Sequence, residues 1–377
     1  NVNWIDLLKL RASYGIGGNI AKDAAPYLTA NYYASTLVGG LYGNISSPPN
    51  PNLRWEKTTT INVGIDFSVL TGRLSGTFEV YNKKSVDLLA NQMGVPTEGF
   101  GYRTLSFNNG AMRNRGFELT LQGDILRETE FKWNAGFLFG YNKNKVTKIN
   151  VTAPVYYLQM DYPMAYPREG KPYNAIYAYK WAGLSEKGEP QMYDLNGEIT
   201  TTKYTDLEAI HYAGTSVPVY SGSFTNTLNY KNFEFSFMLL YAGGHKIRNT
   251  NIPTISMGRT VSMTNKDIRK RWQEAGDEEK TNVPRLLFST SPEFNYARES
   301  IYGKADIHVL DASYIKINNL SLSYRVPVEW VKKIGLGAAR VQFNIENLAT
   351  LAFNSKAGVL LGSKNKPNYV CGLYLNF

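Results

Sequence analysis

The chain has 377 residues, 43% of them hydrophobic, and a formal net charge of +10. No apolar run approaches the ~18 residues that a membrane-spanning helix needs, so helical spans are excluded. One cysteine permits no internal disulfide, and three scattered histidines form no metal-type spacing. The basic residues are spread through loops and form no single stripe, so nucleic acid is not expected as a partner. That excess of positive charge fits attraction of anionic solutes, contact with anionic lipid head groups, or simply a solvated surface.

About ten segments alternate apolar and polar residues, the period of a strand with one apolar and one wet face. The first, Leu7–Tyr14, sets Leu8, Leu10, Ala12 and Tyr14 against Lys9, Arg11 and Ser13. A Gly/Pro/Asn-rich stretch follows. Ile61, Val63, Ile65 and Phe67 then alternate up to a turn at Thr71-Gly72, and Leu74, Gly76, Phe78 and Val80 return. A second hairpin sets Phe117, Leu119 and Leu121 beside Phe131, Trp133, Ala135, Phe137, Phe139 and Tyr141. A third runs Phe224–Tyr230, turns at Lys231-Asn232 and returns through Phe233–Tyr241, with Asn226 discordant on the apolar face. The last group is Tyr314–Tyr324, Arg340–Leu348 and Tyr369–Phe377, with a β-bulge expected at Asn318-Asn319.

Connections alternate short and long. Those near 69–73, 124–130 and 230–232 are tight, whereas 16–54, 87–110, 147–218, 248–312 and 350–368 are long. This asymmetry is characteristic of a transmembrane antiparallel β-barrel with tight periplasmic turns and long extracellular loops. Tyr173–Leu184 also alternates; it either pairs with Pro190–Leu195 as an extra hairpin or stays in the external loop. Thr264 and Asp267 suggest a capped helix through Trp272 stopping at Gly276, and Pro327 a short helix ending at Gly335.

Catalytic constellations are not found: Gly15-Ile16-Gly17-Gly18 reads as a strand-end turn, and the carboxylate pairs flank no site. No cofactor is expected, although Asp194-Leu195-Asn196-Gly197-Glu198 reads either as an Asn-Gly turn or as part of a structural calcium loop. Aromatic density in the external loops is the positive signal. Tyr156, Tyr157, Tyr162 and Tyr166 lie in one loop, and Trp272, Phe288, Phe294, Tyr296 and Tyr302 in another. Such rings serve as platforms for sugars or peptide side chains, or else pack the loops together. Trp55, Tyr141, Tyr241, Tyr314 and Tyr369 near the outer strand ends, with Phe67, Phe131, Tyr230, Tyr324 and Phe377 near the inner ones, suggest two interfacial girdles.

Leu10-Arg11-Ala12-Ser13-Tyr14-Gly15 with Gly18-Asn19, and Asn50-Pro51-Asn52-Leu53-Arg54-Trp55-Glu56-Lys57-Thr58, resemble the SusC/RagA family of TonB-dependent outer-membrane transporters. So do Phe78-Glu79-Val80-Tyr81-Asn82-Lys83-Lys84-Ser85, Asn109-Gly110-Ala111-Met112-Arg113-Asn114-Arg115-Gly116-Phe117-Glu118 and Ile345-Glu346-Asn347-Leu348. The resemblance implies an all-β barrel of about 22 strands, of which residues 1–377 are the C-terminal portion. It also implies a plug and TonB box elsewhere, a SusD-like lipoprotein lid, and import of oligosaccharide or peptide across outer-membrane lipid. Competing expectations are a passive porin or adhesin barrel, a barrel enzyme and a soluble carbohydrate-binding β-protein.

Overall fold

A computed structural model describes residues 4–20, 26–35, 37, 39–47, 49–93, 104–153, 155–202, 207–257 and 265–377. Ten strands form one antiparallel sheet in sequential order. They are β1 (Ile5–Asn19), β2 (Glu56–Val69), β3 (Leu74–Met93), β4 (Thr104–Leu126) and β5 (Phe131–Lys148), then β6 (Tyr220–Tyr230), β7 (Phe233–Gly243), β8 (Tyr314–Arg325), β9 (Ala338–Ala352) and β10 (Asn368–Asn376). Every neighbour is antiparallel, so the connections 70–73, 127–130, 231–232 and 326–337 leave from one end, and those at 20–55, 94–103, 149–219, 244–313 and 353–367 from the other.

Because directly opposed residues share a face, the register shows how the alternation sorts side chains. Leu10, Ile65, Phe78, Leu119, Phe139, Gly222, Tyr241, Ile315 and Leu351 lie in one row across nine strands. The other face carries the row Gln122, Gly136, Thr225, Met238, Asn319, Glu346 and Asn368. Leu10 is 72% exposed on the apolar face, which no layer of the described residues covers. Phe117 stacks on Phe139 and Tyr141, with centroids 5.6 Å apart in both pairs, and extends the apolar sheet surface sideways.

The discordant Asn226 has a partner on its own face. Its Oδ1 accepts a hydrogen bond from the Trp133 indole at 2.9 Å, which satisfies that donor while the Asn226 Nδ2 finds no acceptor. The bulge falls where expected: the β8 register skips Asn318 against both β7 and β9. Opposite it, Asn347 takes a left-handed φ of +55°, a conformation that asparagine tolerates.

Four expectations need correction. The connection expected over 87–110 is mostly strand, since β3 continues to Met93 and β4 begins at Thr104. A register shift around Val86-Asp87, with Asp87 at φ +58°, interrupts the alternation and hides that continuation. Residues 94–103 between them lie outside the described residues. The capped helix expected from Thr264, itself outside the described residues, is only a 3-10 turn, Lys266–Lys270, capped by Asn265. Arg271 is extended there, and the Trp272 amide donates to the Val283 carbonyl instead of closing a helical turn. Tyr314 is opposite Ala242, in register with the polar face, and so leaves the outer girdle. In the segment 16–54, β1 runs on to Asn19 and the strands Thr29–Ser35 and Gly40–Ser47 pair as a hairpin. The helix after Pro327 does form, over Val328–Lys332, and Gly335 ends the turn at φ +78°.

Candidate functional site in the extracellular mouth

Three layers meet at the long-loop end: the polar wall face, a folded cap made by two loops, and the spaces between them. Lower on the same wall, towards the short-turn end, Arg11 of β1 holds Asp66 of β2 through Nε and Nη2, both at 2.7 Å, and reaches Glu79 of β3 at 2.5 Å. That reach crosses over β2 at Gly64, where a Cβ would stand 3.3 Å from the Arg11 Nη2 and 3.1 Å from Glu79 Cγ. Glycine there keeps the span open. Elsewhere on this face, polar side chains bond to amides. Asn144 donates to Asn114 at 2.8 Å, Tyr81 donates to Asn142 at 3.1 Å, and Gln342 donates to Asn344 at 3.0 Å. Asn62, Asp66, Thr77 and Glu79 thus all sit on the wet face, as the alternation indicates.

The loops 147–218 and 248–312 fold against each other above this wall. Tyr173–Leu184 stays in the external loop: Ala175–Tyr179 pairs with Ile210–Thr215, and Trp181–Leu184 pairs with Pro190–Tyr193. Neither joins the ten-stranded sheet, so the strand parity is kept. Tyr156, Met160, Tyr177, Tyr179, Met192 and Ile210 from the first loop pack with Ile301 from the second as one core. Burial pushes the Tyr177 phenol up to about 12, because its anion would be desolvated.

Charge-assisted bonds fasten the cap. Glu189 of the first loop accepts from Arg285 at 2.5 Å and from Arg298 at 2.8 Å, both in the second. Arg298 is 2% exposed and also donates to the carbonyls of Ile255 at 3.0 Å and Arg285 at 2.7 Å. Its buried charge is therefore paired and hydrogen-bonded. Within the first loop, Arg168 donates to the carbonyls of Leu207 and Ile210 while its guanidinium lies 4.8 Å from the Tyr177 ring centre. These arginines and Glu189 carry no sequence signal beyond being loop charges near aromatics; only the tertiary contacts identify them.

The nine aromatic candidates separate by environment. Tyr156, Tyr166 and Tyr302 are buried at 8%, 5% and 3% exposure and build the cap. Trp272 is half-buried, donates from its indole to Glu278 at 2.9 Å, and covers the backbone at Gly188, where any Cβ would collide with the ring. Phe294 is half-buried, edge-on to Tyr296 at 4.9 Å. Tyr157, Tyr162, Phe288 and Tyr296 present open rings to solvent. Tyr162 also borders a space of about 580 Å³ between Asp161–Ala165 and the wall residues Met112 and Val146. Of the nine, Tyr162 alone lines it.

Asp194 spends its Oδ1 on the amides of Asn196 and Glu198, both at 2.8 Å, and Gly197 has φ +83°. Residues 194–198 form a tight turn between two short strands. Among the described residues, no cluster of three or more His, Cys, Asp or Glu is placed to hold a metal ion.

The family model described as TonB dependent receptor-like, beta-barrel matches residues 1–348. The chain belongs to that family. Its relatives include TonB-dependent receptor P3 of Formosa agariphila, 28% identical over 92% of this chain and 35% of the relative. TonB-dependent receptor SusC of Bacteroides thetaiotaomicron is 26% identical over 92% of this chain and 34% of the relative. The chain therefore spans about a third of the length of these curated relatives. Among solved structures, the RagAB peptide transporter superposes over all of this chain and 42% of its own, with TM-score 0.77 and 24% identity. At that identity the likeness speaks for the fold. This TonB-dependent receptor barrel is an outer-membrane protein, all-β in its membrane wall. Among the described residues no helix is long and apolar enough to cross a membrane.

Proposed function

We propose that this chain is the C-terminal wall and extracellular mouth of an active importer for glycans or peptides. The observation that carries the reading is the joined cap: two long loops from different strand pairs share one core and one arginine clamp above a hydrogen-bonding wall. Isolated packing loops need no such shared base, whereas a mouth that must hold a large solute does. Open rings at Tyr157, Tyr162, Phe288 and Tyr296 offer flat contact area at low entropy cost.

In this reading the complete receptor closes a barrel of about 22 strands around a plug, and a SusD-like lipoprotein covers the mouth. TonB supplies the pull that opens the lumen, and no covalent chemistry is required. Peptide is the cargo of the RagAB transporter by its name; that makes peptide a reasonable cargo here without choosing it over glycan.

The test is uptake of labelled oligosaccharides and peptides by cells carrying the full-length receptor. Deleting 248–312 should abolish uptake while heat-modifiable gel mobility shows an assembled barrel. A protonophore should stop uptake by the intact receptor as well. Uptake that survives both treatments would instead identify a passive pore.

A further inference from the structure

Another space lies between the 3-10 turn Lys266–Lys270, in the second cap loop, and the short helix Ser355–Leu360 that follows β9. It has a volume of about 850 Å³, the size of small-molecule sites in general. Four lysines line it, Lys266, Lys270, Lys356 and Lys364, against one carboxylate, Asp267. Asp267 sits 3.4 Å from Lys270 Nζ and 3.9 Å from Lys356 Nζ, so one negative charge draws lysines from two separate loops together. A single carboxylate cannot neutralise that set. Of the four, Lys356 is also felt inward: buried His308 is held down to about 4, first by desolvation, then by Arg248 and then by Lys356.

The lining also tells which way the groove faces. Thr350 is in register with Lys316, and Ala352 with Tyr314, both on the wet face of the wall, while Leu351 alone comes from the apolar row. Asn249 and Asn251 contribute amide groups to the same lining. Lysines interleaved with amides, without a large ring, suit an oxyanion on a hydrated scaffold better than a flat uncharged face.

We infer that this lysine groove is a subsite for an oxyanion group, sulfate, phosphate or carboxylate, carried by a water-soluble oligomer. Its place in a transport route rests on the import reading, but binding itself can be read without transport.

The experiment uses full-length receptor in nanodiscs of zwitterionic lipid, probed calorimetrically with a sulfated tetrasaccharide and with the same tetrasaccharide desulfated. Binding of the sulfated probe alone, weakening with added salt, is expected. At ~4 Å in water each lost charge contact should cost about five-fold in affinity. Replacing Lys270, Lys356 and Lys364 together by Gln should therefore lower affinity about 100-fold, and replacing them by Arg should restore most of it. Lys270 and Lys356 are 73% and 65% exposed at the side chain, so the variants should assemble normally, as gel mobility would show. Equal binding of the two probes, or an unchanged triple-Gln variant, would overturn the proposal. So would a triple-Gln variant that loses only co-purified anionic lipid, since that assigns the groove to a lipid head group. Failed uptake with intact sulfated-probe binding would instead count against the import reading alone.

Discussion

Arg298 of one external loop donates to Glu189 of another at 2.8 Å, from a position almost sealed from solvent. Breaking a buried pair leaves an uncompensated charge and costs about 3–5 kcal/mol. Arg298→Met should therefore loosen the cap by that order while sparing the wall. Hydrogen exchange should accelerate in 175–193 and 296–304, with β6 and β7 amides unchanged. Equal protection in both variants would remove the clamp from the account.

The cap should also respond to acid through His308. Its folded pKa, about 4, lies below the ordinary value of 6.5, so the unfolded loop binds a proton that the folded one refuses. The stabilisation from its neutral form is complete above pH 6.5 and is lost as pH falls toward 4. Its size is up to about 3 kcal/mol. Exchange of cap amides at pH 7.5 and pH 5 should show the loss, and His308→Leu should flatten that dependence.

Asn226 and Trp133 form a polar pair on an otherwise apolar face. Asn226→Ala leaves an indole N–H facing hydrocarbon and should lower barrel stability by about 1–2 kcal/mol. Adding Trp133→Phe removes the stranded donor, so the double variant should fall less than the sum of the single ones. The measurement is the temperature of the gel-mobility transition for the four members of the cycle.

Gly222 lies beneath the Tyr241 ring, whose hydroxyl donates to the Leu138 carbonyl at 2.9 Å. A Cβ at Gly222 would come within 2.0 Å of that carbonyl, whereas one at Gly140 meets nothing nearer than 3.7 Å. Gly222→Ala should sharply reduce the assembled fraction, and Gly140→Ala should leave it near wild type. Similar yields would mean that the strand shifts to accommodate the methyl group.

The wall was legible because its signal is local. Alternation placed Leu10, Ile65 and Phe78 on one face, and the phase slip at Asn318 marked the bulge. Pro327 and Gly335 bracket a helix whose start and stop are chemical properties of those two residues. The cap was not legible, since Tyr156, Tyr166 and Tyr302 read the same as Tyr157 and Tyr162 until distant segments bury them. Glu189 gains its role from Arg298, more than a hundred positions away. The stretch after Asn265 shows the reverse failure, where a helical pattern yields to the Trp272 amide bonding to Val283.

The amide pairs along the wet wall have a consequence for anything moving past them. Asn114 and Asn144 are already joined at 2.8 Å, and each amide can give as well as take a hydrogen bond. On the import reading proposed above, a passing hydroxyl or peptide group would trade one such neighbour for another of the same kind, so the wall would grip cargo weakly and selection would fall to the entrance.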